Sequence, residues 1–556
     1  MERRIFVAIA ISIAFLWLWA AIAPRIFPEL ARPPATATRA GDAIDRSAGE
    51  DTRGPGRTPS ATTATVPAAP AVVAAPRRDV KPVAAAVVRE TVVESSDYIA
   101  RFSNRGAQLV SWQLKNYRRK DGEPVDLVKR RPANQDDYPF AIVAQSGAVA
   151  RRLNSALYSV EQYGEKGASV IEYRYVAPDG LSATKTFRVS SDFVIEFAIS
   201  VEPALPYRVV IGPGIRNIDA SESQSQSALL AGNALVQQDG DLDVENREKG
   251  DRLRIFERVE FIGIEDNYFL AALVPERAGA ATLRRVEVPG PDGKPRKELY
   301  AGINAAPNGV VTGSAFFGPK EPTVLERHGL GKALQYGMFG VIARFLLEGL
   351  LWINNYTRNY GFAIIVLTIL IKVVLYPLQH KSIVSMKRMQ RVQPKMEAIK
   401  NKYKKSRTDP EQRQKMNTEM MKLYQVEGIN PMSGCLPILL QLPVLWGFYN
   451  LLSRAIELRG APWILWIRDL SEKDPTYILP ILMTGTMFIQ TYITPMTADP
   501  MQRKIFLAMP LVFGIMFKEF PSGLVLYWLV QNILTIIQQT IMNKWWKDHP
   551  AEVAKA

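Results

Sequence analysis

Apolar residues run almost unbroken at the extreme N-terminus and through the last two hundred residues, while the middle of the chain alternates in short bursts. Residues 5–23 supply about nineteen nearly uncharged positions, enough at about 1.5 Å per residue to cross a hydrocarbon core of about 30 Å. Arg3 and Arg4 precede them, as in a signal peptide or a signal anchor with a cytoplasmic N-terminus. Ala21-Ile22-Ala23 has the small residues of a cleavage site. Pro24 follows directly, however, and the run exceeds the roughly 7–15 residues of a cleaved signal, so residues 1–23 read as a retained anchor.

Residues 24–95 are rich in Ala, Pro, Thr and Arg, bury too little apolar surface to offset ordering entropy, and predict a flexible linker. Between 96 and 328 the period falls to two, as in Ser169-Val170-Ile171-Glu172-Tyr173-Arg174-Tyr175, Lys185-Thr186-Phe187-Arg188-Val189 and Phe193-Val194-Ile195-Glu196-Phe197-Ala198-Ile199. Punctuated by Gly, Pro and Asp, these runs predict a large exported all-β sandwich. In 329–358, Leu334, Met338, Ile342, Phe345 and Leu346 recur at helical spacing beside Lys332, Arg344 and Glu348. An interfacial helix with its apolar side in lipid fits, and a helix capping the β-domain is the alternative.

Five further spans are predicted at 359–378, 431–453, 477–494, 505–519 and 520–542. Residues 379–430 carry thirteen basic side chains against five acidic ones, a net +8, whereas residues 455–476 of the loop 454–476 are slightly acidic. Positive-inside bias places the first in the cytoplasm and the second outside. Residues 495–504 form a second cytoplasmic loop and 543–556 a short basic tail, so six spans leave both termini inside. The fold class expected is a polytopic α-helical membrane protein with a large exported all-β sandwich domain.

The basic segment predicts two helices, the second capped by Asp409-Pro410. Met386, Met389, Val392, Met396 and Ile399 face Met416, Met420, Met421 and Leu423, either to pack the pair or to meet adaptable apolar partners.

Composition narrows the chemistry. Apolar residues make up 47% and Lys+Arg exceed Asp+Glu by 15, which excludes a wholly disordered chain. The single cysteine, Cys435, excludes a disulfide framework or a multi-cysteine metal site, and His328, His380 and His549 lie far apart. No phosphate-binding loop, intramembrane carboxylate pair or nucleophile–base pair stands out, so neither an enzyme, a metal nor a cofactor is expected.

The feature that calls for a function is Lys372, inside Ile364-Ile365-Val366-Leu367-Thr368-Ile369-Leu370-Ile371-Lys372-Val373-Val374-Leu375. A lysine at a span centre costs about 2.5–3.5 kcal/mol on insertion scales, so it should face protein or water unless it snorkels to the cytoplasmic end. Thr368, Lys372, Tyr376 and Gln379 share one helical face. Thr486, Gln490 and Thr494 form a second stripe; Tyr527, Gln531, Thr535 and Gln538, flanked by Trp528, form a third; Gln441 adds a lone amide. Each alone serves as interhelical glue, but four polar spans with one cation predict a shared wet cavity that lowers the cost of a polar or acidic segment entering the bilayer.

The ordered set Tyr360-Gly361-Phe362-Ala363-Ile364-Ile365-Val366-Leu367-Thr368, Tyr376-Pro377-Leu378, Gln393-Pro394-Lys395, Asn430-Pro431-Met432-Ser433-Gly434-Cys435-Leu436-Pro437, Gln441-Leu442-Pro443, Asp499-Pro500-Met501-Gln502 and Phe520-Pro521-Ser522-Gly523-Leu524-Val525-Leu526-Tyr527-Trp528 resembles the YidC/Oxa membrane protein insertases, of the Gram-negative type. The exported part matches more loosely, through Lys185-Thr186-Phe187, Asp266-Asn267-Tyr268-Phe269 and Phe317-Gly318-Pro319-Lys320. That resemblance implies a five-helix insertase core with a hydrophilic groove, a periplasmic β-supersandwich and a mobile cytoplasmic hairpin. It also implies location in the bacterial inner membrane and partnership with nascent membrane proteins, the Sec translocon and ribosomes or targeting factors, without specific nucleic-acid recognition.

The groove residues expected are Lys372, Thr368, Gln441, Gln490, Tyr527, Trp528 and Gln531, and the partner-binding hairpin residues are Lys400, Lys402, Lys404, Lys405 and Arg407. The family's groove cation falls on Lys372, where many relatives carry arginine; lysine keeps the charge without the fork that grips a carboxylate. Two rival classes are weaker. An ion-coupled secondary transporter lacks intramembrane acids here, and an exported carbohydrate-active domain has only His328, at its edge.

Overall fold

The computed structural model describes residues 81–119, 121–129, 137–165, 167–216, 232–248, 252–289, 295–403, 409–428, 436–494 and 500–548. The expected anchor, most of the linker, and Lys404, Lys405 and Arg407 lie outside the described residues. Two compact units divide the chain at Gly318/Pro319.

The first unit is built from two antiparallel sheets. Strands β1 (Glu90–Glu94), β2 (Tyr98–Ser103), β3 (Gln108–Arg118) and β4 (Pro124–Asp126) form a four-stranded meander. A larger sheet takes β5 (Ala141–Ala144), then, after helix α1 (Gly147–Ser155), β6 (Ser159–Glu165), β7 (Ala168–Val176), β8 (Ser182–Val189), β9 (Val194–Glu202) and β10 (Tyr207–Ile211). It continues with β11 (Asn233–Gln238), β12 (Asp241–Glu245), β13 (Leu253–Glu265), β14 (Phe269–Pro275), β15 (Gly279–Pro289), β16 (Pro295–Asn304) and β17 (Val310–Pro319). Along it the order is β5-β10-β16-β15-β13-β14-β17-β9-β8-β7-β6, with β11 and β12 branching from β13.

Period-two patterning explains this arrangement: β8 buries Ala183, Lys185, Phe187 and Val189 and turns the residues between them outward. Aromatic side chains join the sheets. Tyr98 stacks on Trp112 at 4.0 Å, Trp112 meets Phe317 at 5.7 Å and Phe102 meets Phe187 at 5.1 Å. β1 corrects the expected linker, which was drawn through residue 95: Thr91 and Val93 point inward and Val83 bridges to Val176. Five alternating residues beside an Ala/Pro-rich stretch are too short a signal to separate by composition.

One inward position of β8 is charged. Lys185 is fully buried, and its Nζ donates to the carbonyls of Gly106 (2.6 Å), Phe140 (2.8 Å) and Ala107 (3.3 Å), with the Tyr158 ring 5.8 Å away. Burial pushes this ammonium down to about 7. The lysine thus fastens the start of β3 and the entry to β5 to the large sheet.

The second unit is helical: α2 (Pro322–Arg327), α3 (Gly340–Thr357), α4 (Tyr360–Lys402), α5 (Pro410–Val426), α6 (Leu436–Arg454), α7 (Ile478–Ile493), α8 (Pro500–Phe517) and α9 (Ser522–Asp548). Among the described residues, α4 and α9 are long and apolar enough to cross a bilayer, with mean hydropathy reaching 2.4 and 1.3; α7 and Phe506–Phe517 are shorter apolar helices. The shared core takes Leu346, Leu350 and Ile353 from α3, Ile364 and Leu367 from α4, Phe448 and Leu451 from α6, Met483 from α7, and Val525 and Tyr527 from α9. On its other side α3 exposes Val341, Phe345, Trp352 and Tyr356.

α4 departs from the expected separate span and cytoplasmic helix by running unbroken through Pro377 and Pro394. Each proline lacks one amide donor, yet the remaining hydrogen bonds carry the helix on. Beyond Pro377, Met389, Val392 and Met396 pack against Met420 of α5, with Met416 and Leu423 alongside. The methionines therefore hold the hairpin together. Lys395 pairs with Glu427 (2.6 Å) and Lys402 with Glu419 (3.0 Å) across it.

At the end of the bundle away from this hairpin, the loop 455–476 ties several helix starts together. Asn359 caps α4 by accepting from Gly361 and Phe362 N–H, and its Nδ2 donates to the Trp463 carbonyl at 3.0 Å. Gly361 must be glycine, because a β-carbon there would overlap the Trp463 ring. Asp474 accepts from the N–H of Thr476 and of Leu479 at the start of α7, while Ser522 and Gly523 of α9 donate to the carbonyls of Glu472 and Leu470. Glu457 lies within this cap, coupled electrostatically to Tyr336 and Tyr360, with its Oε2 buried and unpartnered. Burial, reinforced by the Glu321 charge and opposed by a hydrogen bond to its own backbone, pushes the carboxyl up to about 7.

Two pH dependences of opposite sign follow. The unfolded Lys185 amine keeps its proton up to about 10.5 and the folded one only up to about 7, so the unfolded chain binds the extra proton between them. Stability of the β-unit should rise by about 2 kcal/mol between about pH 7 and 9, as thermal melts of the full chain would show, and Lys185→Met should flatten that slope. Glu457 holds its proton longer when folded, so its contribution is complete below the ordinary carboxyl value near 4.5 and is lost as pH rises through 7. Hydrogen exchange in 455–476, corrected for its intrinsic rate, should quicken about tenfold from about pH 6 to 8. Glu457→Gln should abolish that change.

Candidate functional site

The polar side chains of the bundle collect around α9. Lys372, on α4, is only 8% exposed, and its Nζ donates to Thr535 Oγ1 at 2.8 Å. Thr535 in turn donates to the Gln531 carbonyl one turn back, so its hydroxyl is used in both directions. Gln531 Nε2 donates to Gln441 Oε1 at 3.2 Å, and Gln441 Nε2 donates to the Tyr527 hydroxyl. Tyr527 is fully buried and stacked on Phe448 at 4.3 Å. Four of the expected residues, Lys372, Gln441, Tyr527 and Gln531, thus form one chain of contacts from α4 through α9 to α6, joined by Thr535.

The remaining three behave differently. Thr368 is completely buried and donates to the Ile364 carbonyl at 2.6 Å, satisfying its own helix instead of facing an open groove. Trp528 packs on Phe517 (5.3 Å) and Phe513 (6.3 Å) of α8, because one residue along a helix turns the side chain about 100° away from Tyr527. Gln490 remains on the polar face of α7 with its Oε1 buried and unpartnered.

Asn532 and Gln539 enlarge this set beyond the expected residues. Asn532 donates to Thr486 Oγ1 (3.3 Å) and to the Met483 carbonyl (3.4 Å), and Gln539 bonds to Thr494 at 3.1 Å. They stand seven residues apart and so share a face of α9 turned toward α7. Gln538, already on the predicted stripe, has both amide atoms buried without a partner.

No Asp or Glu occurs in 360–378, 439–454, 478–493, 506–517 or 522–542. Lys372 therefore has only neutral hydrogen-bonding groups among its intramembrane neighbours, which can solvate the ammonium without cancelling its charge. Such a site attracts negative charge and exchanges hydrogen bonds, but it supplies no general base or nucleophile pair. Among the described residues no cluster of three or more potential metal ligands occurs. In the hairpin, Lys402 is held by Glu419, while Lys400 is exposed.

Residues 352–549 match the family described as the 60Kd inner membrane protein, and residues 90–348 match the YidC periplasmic domain. The membrane protein insertase YidC of Geobacter metallireducens is 34% identical over 566 residues, covering 98% of each chain. That of Geobacter sulfurreducens is 36% identical over 468 residues, covering 80% of this chain and 85% of the relative. A solved structure of an active YidC insertase with its first transmembrane domain resolved covers 81% of this chain and 92% of its own, at 20% identity and a TM-score of 0.36. Full-length identity above 30%, together with the two adjoining family matches, places the chain in the inner membrane with a periplasmic domain: it belongs to the YidC family of membrane protein insertases.

Proposed function

We propose that the chain inserts nascent inner-membrane proteins and helps them fold by receiving their polar tails beside Lys372. The carrying observation is the nearly buried ammonium in an apolar helix, bonded to Thr535 and surrounded by neutral groups. A client's apolar segment docks on the exposed apolar faces of the bundle, such as Ile481 and Leu482 of α7 and Val512 and Ile515 of α8. Its short polar, often acidic, tail then enters toward the cation. The tail exchanges water for amide, hydroxyl and ammonium partners, and it leaves once the apolar segment has partitioned into lipid. Bond chemistry has no part in this cycle.

In this reading six spans include the anchor at 1–23. The hairpin end of the bundle and both termini face the cytoplasm, and the 455–476 cap faces the periplasm. The exposed row Val341, Phe345, Trp352 and Tyr356 of α3 supports its lying in the outer lipid interface. The basic hairpin recruits ribosomes or targeting factors, Lys400 and Lys402 among the described contributors and Lys404, Lys405 and Arg407 beyond them. Partnership with the Sec translocon rests on the family resemblance.

In reconstituted vesicles, Lys372→Glu should reduce insertion of an acidic-tailed single-span client at least about tenfold, while Lys372→Arg should retain most of it. Normal insertion by Lys372→Glu would refute the electrostatic role.

A further inference from the structure

Most polar side chains of α9 are hydrogen-bonded, and Gln538 is the exception among the described residues. Tyr527 and Gln531 are engaged by Gln441, and Thr535 is engaged by Lys372. One turn nearer the hairpin end, Gln538 has neither amide atom partnered, although both are buried. Gln490 Oε1 on α7 is in the same condition. The bonds Asn532–Thr486 and Gln539–Thr494 span 46 and 45 residues, which fixes α7 and α9 as parallel and in register. Gln490 therefore stands level with residues 535–536, and Gln538 lies one turn beyond that level. Three buried amide atoms on this stretch of α7 and α9 are without protein partners, where native interiors leave few such groups unsatisfied.

We propose that Gln538 and Gln490 form a station for the main-chain amides of an unfolded client segment, distinct from the charge-reading contact at Lys372. This rests on the reading that the bundle receives client tails. A glutamine carboxamide has the donor and acceptor of a peptide group, so it can replace the water that client N–H and C=O groups lose, whatever their side chains. Bare peptide groups are costly in hydrocarbon, and a tail in transit has no helix to satisfy them. A segment arriving from the hairpin end meets Gln538 first and the ammonium a turn later. Bundle entry is thereby opened to neutral tails as well as acidic ones.

The test uses the full-length protein in vesicles and three single-span clients with a Gly/Ala tail, an acidic tail, or a tail whose residues are replaced by proline to remove the N–H donors. The near-isosteric pair Gln538→Met and Gln490→Met should slow the Gly/Ala tail about tenfold, slow the acidic tail less, and slow the proline tail least, since only its carbonyls still need a partner. Gln538→Asn should recover part of the loss, and Ile537→Val, on the exposed side of α9, should change none of the three rates. Equal slowing of all three tails, or no slowing, overturns the proposal. A photocrosslinker at Gln441 separates the two levels: client adducts there with no tail-dependent effect of the methionine pair sink the station alone. Absence of adducts sinks the underlying reading as well.

Discussion

An ammonium in an apolar helix constrains everything around it. At Lys372 the charge lies too far inside α4 to be left against hydrocarbon, and the bundle offers no carboxylate to cancel it. The observed solution is Thr535, whose hydroxyl accepts from the lysine while donating to its own helix. That contact sets the facing residues of α4 and α9, and through Gln531 and Gln441 it extends to α6. A carboxylate partner would have made a tight, charge-neutral pair. Neutral partners keep the charge in place and still effective.

Hydrogen bonding is distributed unevenly along the bundle. Toward the cap, Asn359 binds both its own helix start and the Trp463 carbonyl and the first amides of α9 donate into the loop, while Glu457 Oε2 stays without a partner. Toward the hairpin, Gln538 and Gln490 have spare capacity. Unmet hydrogen-bonding capacity thus occurs at both ends of the bundle, and between them Lys372 is met by neutral partners.

How much of this was legible depends on what spacing can encode. Alternation in 182–189 is strict enough to reveal β8, and a charge within an unbroken apolar run reveals Lys372. Helical spacing also found Tyr527, Gln531 and Gln538, because residues three, four and seven apart must share a face. It could not reveal that the Thr368 hydroxyl is spent on the Ile364 carbonyl, since a rotamer leaves no trace in the residue pattern. Nor did adjacency to Tyr527 put Trp528 with the amides; its contacts are on α8. Asn532 and Gln539 fall on a neighbouring stripe, visible only once a partner helix on that side is considered. The span drawn to residue 378 ends with the apolar run, but the helix continues through Pro377 because tertiary packing of the hairpin outweighs one missing donor.

That proline has a mechanical consequence. At 43 residues, α4 is a single rod about 65 Å long, pinned at one end by Asn359 and braced at the other by α5. Pro377 withholds an N–H from the Val373 carbonyl, immediately after Lys372, and Pro394 withholds one from the Gln390 carbonyl within the hairpin. Each missing bond softens the helix locally, and the first of them adjoins the lysine, in the stretch between the pinned and the braced ends.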